Sequence, residues 1–378
     1  MGELRVRAVT RDGAVAAVAA DGICVVVPGD VDDDTAPSGG NVYDRRLCRG
    51  LASAGRPVRE LAVPGAWPRP DHRDREALDR ALAGLPDGSV VLLDGLVACG
   101  VPGVVVPHAD RLRLAVLVHL PLADETGLPD HVAADLDARE RAVLRAATAV
   151  IATSPWARGR LIEHHGLAPG RVHAVQPGTE PAPLATGTDG ASRLLCVASL
   201  TPRKGHDLLV EALAAVAHLP WSCELTGPLD RDPGHVTRLR RLIGRHRLGD
   251  RVRLTGPKTG PRLAAAYAAA DLAVLASRAE TYGMVVTEAL ARGVPVLATA
   301  VDGVPETVGR DPSGAVPGLL VPPGDPGALA AALRHWLVEP DLRSRLRTTA
   351  RRRRATLRGW DETSRRMAAV LDGLGEGR

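Results

Sequence analysis

Two carboxylates eight positions apart, Glu280 and Glu288, flank a glycine in S-R-A-E-T-Y-G-M-V-V-T-E-A-L-A-R-G-V-P-V-L-A-T, Ser277 to Thr299. Gly283 carries no Cβ, so backbone amides opening the next helix can approach a ligand from the positive end of the helix dipole. An anion fits such a place. Glu280 falls in the loop before the helix and Glu288 inside it, so the pair can reach opposite ends of an extended ligand. Cations to meet an anion stand in V-A-S-L-T-P-R-K-G-H-D-L-L-V-E-A-L, Val197 to Leu213, where Arg203 and Lys204 follow an apolar run. Lys204 and Lys258 are the only lysines in a chain rich in arginine, which singles both out. An anion bound there would be met by cations and backbone donors. Charge-assisted hydrogen bonds contribute about 1.5–3 kcal/mol each, against roughly 0.3–2 kcal/mol for a helix N-terminus, so the cation pair outweighs the dipole. Taken alone, a solvated loop also carries such an R-K pair, and a helix end such glutamates.

The elements that must hold these residues are β-rich apolar runs, each followed by a longer Ala/Leu/Arg stretch of helical spacing. In the first half the runs are 23–27, 90–93, 114–118, 149–151 and 172–175; in the second they are 194–197, 223–226, 252–255, 272–275, 294–297 and 319–321. Continuous apolar strands imply parallel sheets covered by helices on both faces. Asp207 to Leu219 illustrates the helices: Leu209, Ala212, Leu213 and Val216 form one stripe, and Pro220 ends it. The aperiodic stretch from Pro181 to Gly190 has the composition of a linker. The expected fold is therefore α/β, with two Rossmann-like doubly wound domains whose mainly parallel sheets face a central cleft. Residues 1–182 form the first domain, 183–190 the linker, 191–355 the second domain and 356–378 a closing helix. Open α/β sheets bind ligands beyond the carboxyl ends of their strands, which is where the glutamates and cations fall.

Composition narrows the function. At 378 residues and 45% hydrophobic content the chain is long enough for two cores. A net charge of +4 and only Trp 5, Tyr 3 and Phe 0 argue against nucleic acid, which asks for a basic face or a row of stacking platforms. The five cysteines are far apart and form no C-x-x-C, so neither disulfides nor zinc is expected, and a reducing cytoplasm fits. The first ten residues offer no apolar signal core, and no apolar run reaches the roughly 18 residues of a membrane span. The run Arg351 to Arg354 suits a solvated helix face, with peripheral contact to acidic lipid left open. The strand that should open a dinucleotide fold ends P-G-D-V-D-D-D rather than G-x-G-x-x-G, which disfavours an oxidoreductase.

E-x7-E followed by E-A-L-A-R-G-V-P-V resembles the signature of the retaining nucleotide-sugar glycosyltransferases of family four, which have the GT-B fold. The likeness spans most of the chain. It implies that Glu288 binds ribose hydroxyls, that Glu280 contacts the transferred sugar, and that amides at Gly283, Met284 and Val285 hold phosphate or sugar. The usual Phe before the glycine is Tyr282 here. Lys204 matches the family's phosphate-binding lysine, whereas the arginine of the preceding G-R-L element is Ser199, leaving Arg203 to supply that charge. Gly39 and Gly40, in D-T-A-P-S-G-G-N-V-Y-D-R-R-L, match the loop that touches the diphosphate from the opposite lobe, and His119, ending L-A-V-L-V-H, matches a position beside the sugar. Gly227 and Lys258 stand in loops near the base, and Asp302 to Glu306 and Gly318 to Asp325 resemble further donor loops. The helix bearing Trp360 resembles the one that crosses back to the first lobe.

The resemblance implies metal-independent transfer of a hexosyl group, with retention, from a nucleotide-diphosphate sugar to an acceptor hydroxyl. No cofactor is expected beyond that co-substrate. The acceptor class stays open among lipid, saccharide and small metabolite, as do the sugar, the base and the oligomeric state. The acidic run Asp30 to Asp34 precedes the glycine loop and is expected to be solvated, not a metal site. His164 and His165 have no spaced ligand partners and read as surface residues. A non-catalytic sugar-nucleotide-binding paralogue is the alternative.

Overall fold

The computed structural model describes residues 4–9, 22–33, 35 and 37–376. Asp34 of the acidic run and the first three residues lie outside them. The chain divides into two compact units, one of Met1–Asp33, Gly39–Gly178 and Trp360–Arg378, the other of Asp34–Ser38 and Thr179–Gly359.

The strands are β1 (Arg5–Val9), β2 (Ile23–Pro28), β3 (Val58–Val63), β4 (Val90–Asp94), β5 (Arg113–Val118), β6 (Ala149–Ala152), β7 (Val172–Ala174), β8 (Arg193–Val197), β9 (Ser222–Thr226), β10 (Val252–Leu254), β11 (Leu272–Leu275), β12 (Val296–Thr299) and β13 (Gly318–Val321). The first unit holds a seven-stranded sheet ordered β1-β3-β2-β4-β5-β6-β7, and the second a six-stranded sheet ordered β10-β9-β8-β11-β12-β13. Every pairing is parallel except β1 with β3. Each sheet carries a hydrophobic cluster on either face, as the continuous apolar runs require.

Ten of the eleven expected strands fall within a residue of their expected bounds at each end. In the second unit the expected 294–297 strand begins two residues late, at Val296, because Pro295 has no N–H to offer the ladder. β10 stops at Leu254, one residue short of its expected end. β1 and β3 were not anticipated. β3 reads V-R-E-L-A-V, with two charges where a covered strand should be apolar, yet Glu60 is fully buried. Arg45 pairs with it, and burial without that partner would cost several kcal/mol.

Helix His206–Ala215 buries Leu209, Ala212 and Leu213 completely, and Val216 follows past its end. The residues expected as a linker are tied into the second unit: Gly187 N–H donates to Ala268 O at 2.9 Å and Thr188 Oγ1 to Asp271 at 2.6 Å. Helix Trp360–Glu376 belongs to the first unit, where Met367, Ala368 and Leu371 pack with Tyr43, Leu47 and Leu51 of helix Gly39–Ser53. Of the Arg351 to Arg354 run, Arg353 donates to Val308 O at 3.1 Å and Arg354 to Ala182 O, while Arg351 and Arg352 are exposed. Among the described residues no helix is long and apolar enough to cross a membrane.

Candidate functional site

In the second unit the loops after β8 and β11 are pressed together. Beyond β8 the chain makes a 3-10 turn over Pro202–Lys204, and Gly205, at φ +64°, starts the next helix. A Cβ there would lie 2.0 Å from Ala276 O, so only glycine lets this turn touch the end of β11. Arg278 locks the two loops: its N–H donates to Arg203 O at 2.7 Å, and its guanidinium binds Asp207 at 2.9 and 2.6 Å and Pro202 O at 2.6 Å. The loops after β8, β9 and β10 are joined in turn, since Gly227 N–H donates to Gly256 O at 3.0 Å and a Cβ on Gly227 would meet Ala198 O at 1.9 Å.

This scaffold brings Arg203, Lys204, Glu280 and Gly283 together. Lys204 Nζ donates to Glu280 Oε2, Arg203 Nη1 lies 4.0 Å from the same oxygen and donates to Ala279 O at 3.1 Å, and Ser277 Oγ donates at 3.3 Å. The Glu280 backbone is held as well, its N–H by Asp302 Oδ2 at 2.9 Å and its carbonyl by Gly303 N–H at 3.1 Å. Burial opposes the charge on Glu280, but the Lys204 ammonium and Arg203 guanidinium outweigh it and hold the carboxyl below its ordinary value. Three residues on, Gly283 caps helix Met284–Ala291 at φ +84°, with Met284 and Val285 half-buried in its first turn.

Glu288 lies one helical stretch away and accepts from Tyr267 Oη at 2.8 Å, while the Arg292 guanidinium stacks 4.7 Å from the Tyr267 ring centroid. Burial pushes the Glu288 carboxyl up against the pull of Tyr267 and Arg292. Lys258 is directed to a different acid, Glu224 of β9, which also receives Arg193 at 3.0 Å and Thr255 at 3.3 Å.

In the first unit, Gly39 and Gly40 are themselves the first two residues of helix Gly39–Ser53, not a loop before it. A Cβ on Gly40 would lie 3.1 Å from His119 Cδ2, so the glycine and the histidine are neighbours. His119 Nε2 lies 3.0 Å from Asp44 Oδ1 and 3.6 Å from Asp94 Oδ2, both acids being buried. The Tyr43 ring stands edge-on to it with centroids 5.3 Å apart, its hydroxyl donating to Val175 O at 3.0 Å. Burial works against the imidazolium, but the Asp44 carboxylate, with help from Asp94, carries His119 up to about 9. Burial, then the Asp44 charge, pushes Asp94 up to about 8.

Among the described residues two groups bring three atoms able to ligate a metal within 4.8 Å of one another: Asp44, Asp94 and His119, and Asp137, His164 and His165. The second corrects the surface reading for His165, whereas His164 is exposed as expected. His165 is 1% exposed, and His164 Nε2 binds Asp137 Oδ1 from the neighbouring helix Asp130–Ala146, with Arg141 on the other oxygen at 2.8 Å. Asp32 of the acidic run pairs with Arg7 and Arg45.

Sequence reasoning passed over Asp44, Asp94, Glu224 and Tyr267. Asp94 left a usable signal, a carboxylate closing the apolar run V-V-L-L-D. The others sit inside elements and acquire partners only through tertiary packing.

A family model described as "Glycosyl transferases group 1" matches residues 187–353. The chain is 33% identical over 299 residues to D-inositol 3-phosphate glycosyltransferase 1 of Catenulispora acidiphila, covering 74% of this chain and 68% of that protein. It is 35% identical over 248 residues to the D-inositol 3-phosphate glycosyltransferase of Kineococcus radiotolerans, covering 60% of this chain and 57% of that one. Among solved structures it resembles a sucrose-phosphate synthase from Thermosynechococcus elongatus, with TM-score 0.77, 25% identity and coverage of 94% of this chain and 99% of the other. The Anabaena protein HepE, solved in complex with UDP-glucose, shares the fold at TM-score 0.70 and 18% identity, with coverage of 93% and 99%.

Proposed function

Because the chain belongs to the glycosyl transferases group 1 family, enzymes of GT-B fold that use nucleotide-sugar donors, we propose that it is a metal-independent, retaining hexosyltransferase acting on an acceptor hydroxyl. The observation that carries this reading is the gathering of Arg203, Lys204 and Glu280 beside the Gly283 helix start. Two cations and a row of amides suit a pyrophosphoryl group, and Lys204, already half-neutralised by Glu280, is oriented before the donor arrives.

The roles are those the family resemblance implies, and that arrangement supports the ones assigned to Arg203, Lys204 and Glu280. Arg203 and Lys204 neutralise the leaving diphosphate, with amides at Gly283, Met284 and Val285 completing the cradle. Glu280 contacts the hexosyl group, Glu288 the ribose hydroxyls, and the loops of Gly227 and Lys258 the base. Gly39, Gly40 and His119 supply the first unit's contribution to diphosphate and sugar. The bond from the anomeric carbon to the diphosphate oxygen breaks, that oxygen takes the acceptor's proton, and the acceptor oxygen bonds to the same face of the sugar. Five free, buried cysteines fit a cytoplasmic enzyme.

The test is kinetic. Lys204→Ala and Glu288→Ala should each sharply weaken donor binding or turnover, and wild-type kinetics in both variants would overturn the assignment. Chelators should leave transfer unchanged; loss restored by magnesium or manganese would end the metal-independent reading. A thermal-shift panel of nucleoside diphosphates identifies the base. The acceptor panel starts from D-inositol 3-phosphate, for which the similar proteins are named.

A further inference from the structure

His164 and His165 close helix Pro155–His165, and both reach toward Asp137 of helix Asp130–Ala146. We propose that these three side chains bind one divalent transition-metal ion of the zinc class, an ion that fastens the two helices together and takes no part in sugar transfer. The inference stands independently of the transferase reading. No local spacing announces it, since Asp137 stands 27 positions before His164.

Successive residues on a helix point about 100° apart, so adjacent histidines ordinarily serve different surroundings. Here their rings meet edge to face with centroids 4.7 Å apart, and one ring nitrogen of each joins an Asp137 oxygen in a set no wider than 4.8 Å. Ligands bonded at about 2.0–2.2 Å to a tetrahedral centre stand roughly 3.4 Å from one another, so side-chain shifts of about an ångström close the set. Two imidazoles and a carboxylate are donors that zinc and its neighbours favour, and they leave a further position for water.

The decisive observation is His165. Its side chain is fully buried, and among the described residues neither ring nitrogen has a hydrogen-bond partner. An imidazole carries at least one N–H, and hiding that group unpaired costs free energy. Nε2 faces Glu140 Oε2 at 3.7 Å, and that oxygen is itself fixed by the Leu122 N–H at 3.1 Å. A carboxylate behind one nitrogen is the usual support for a histidine that gives its other nitrogen to a metal, so Nδ1 is left for the ion. Asp137 is supported in the same way: Arg141 donates to Oδ2 at 2.8 Å, which leaves Oδ1 turned to His164 Nε2. Entry of the ion needs only a neutral His164 with its proton moved to Nδ1.

There is also room. The three residues line a pocket of about 230 Å³ together with Ala133 and Ala134, whose small side chains leave space one turn before Asp137. Arg160, the cation lining it, is paired with Asp124 at 3.6 Å, so its charge is offset. His164 is exposed, which gives the ion a way in. The carbonyl end of helix Pro155–His165 favours a cation as well.

The experiment is a calorimetric titration of zinc into the full, untagged chain after chelator treatment, with cobalt(II) absorption as a second readout. One ion should bind per chain, and cobalt(II) should give the visible bands of a tetrahedral site. His164→Ala, Asp137→Asn and His165→Gln should each weaken binding by more than the roughly tenfold that loss of a supporting residue costs. His119→Gln, in the other candidate group, should bind as wild type does. Zinc should raise Tm of the wild type but not of His164→Ala. No saturable ion, or an affinity unchanged in His164→Ala, overturns the inference; because His164 is exposed, that variant decides even where His165→Gln does not fold. Transfer measured below the melting transition should be the same with and without the chelator. Loss of transfer restored by zinc would overturn the purely structural role, whereas a chain that binds zinc but transfers no sugar would overturn only the proposed function.

Discussion

The strand-end clusters of the two units solve the same electrostatic problem in opposite ways. In the second unit, cations outnumber the acid: Arg203 and Lys204 converge on Glu280 and keep it ionised. In the first unit, acids outnumber the cation: Asp44 and Asp94 surround His119, and the surplus is relieved by keeping protons. The cationic cluster holds its single acid below its ordinary value. The acidic one depends on proton occupancy, so the two halves should respond to pH in opposite senses.

The sharpest way to break the comparison is steric. Gly205→Ala drives a Cβ to 2.0 Å from a backbone oxygen, whereas Gly40→Ala meets the edge of a side chain at 3.1 Å. The first should destabilise by more than about 4 kcal/mol and the second by about 1 kcal/mol, read as denaturant midpoints. Next, Lys204→Ala should lower kcat/KM for the donor by roughly 10²–10³ and reduce Tm by stranding Glu280. Activity within threefold of wild type would mean the cation cluster is merely structural.

Hydrogen exchange resolved by unit sharpens the pH contrast. At the His119 cluster of the first unit the folded state binds protons more tightly than the unfolded chain. Stability there should fall as pH rises, from above 3.8 to about 8 for Asp94 and from 6.5 to about 9 for His119. In the second unit His206 and Glu280 have the reverse sign, with Glu288 opposing them. His206, buried and pushed down to about 3, contributes a loss as pH falls from 6.5, and Glu280 adds its own below 4.5. Protection falling in both units on the same side of neutrality would refute the contrast. The smallest effect is expected at Arg7→Ala, which removes an exposed ion pair to Asp32 and should change stability by under about 1 kcal/mol.

The sheets of both units were legible because covered parallel strands are nearly all apolar. β3 escaped because Arg59 and Glu60 imitate a solvated segment, and only the distant Arg45 reveals that Glu60 is paired inside. The residues proposed to hold the donor were singled out by their resemblance to a family motif: Glu280, Gly283 and Glu288 share one loop and helix, and Lys204 precedes a glycine whose necessity shows in the close approach to Ala276. The partners of His119 were not, since Asp44 reaches it from 75 positions away and no local pattern announces such a meeting. The same holds for Tyr267 and Glu224, whose importance is defined by what packs on them.

Scarcity of lysine gives the molecule an unplanned analytical handle. Lys204 and Lys258 are its only side-chain amines, each partly shielded and each engaged by a glutamate in the second unit. Acylating reagents followed by mass spectrometry would therefore report on two sites with little background, and a nucleotide that shields one without the other would map its own footprint on unmutated protein.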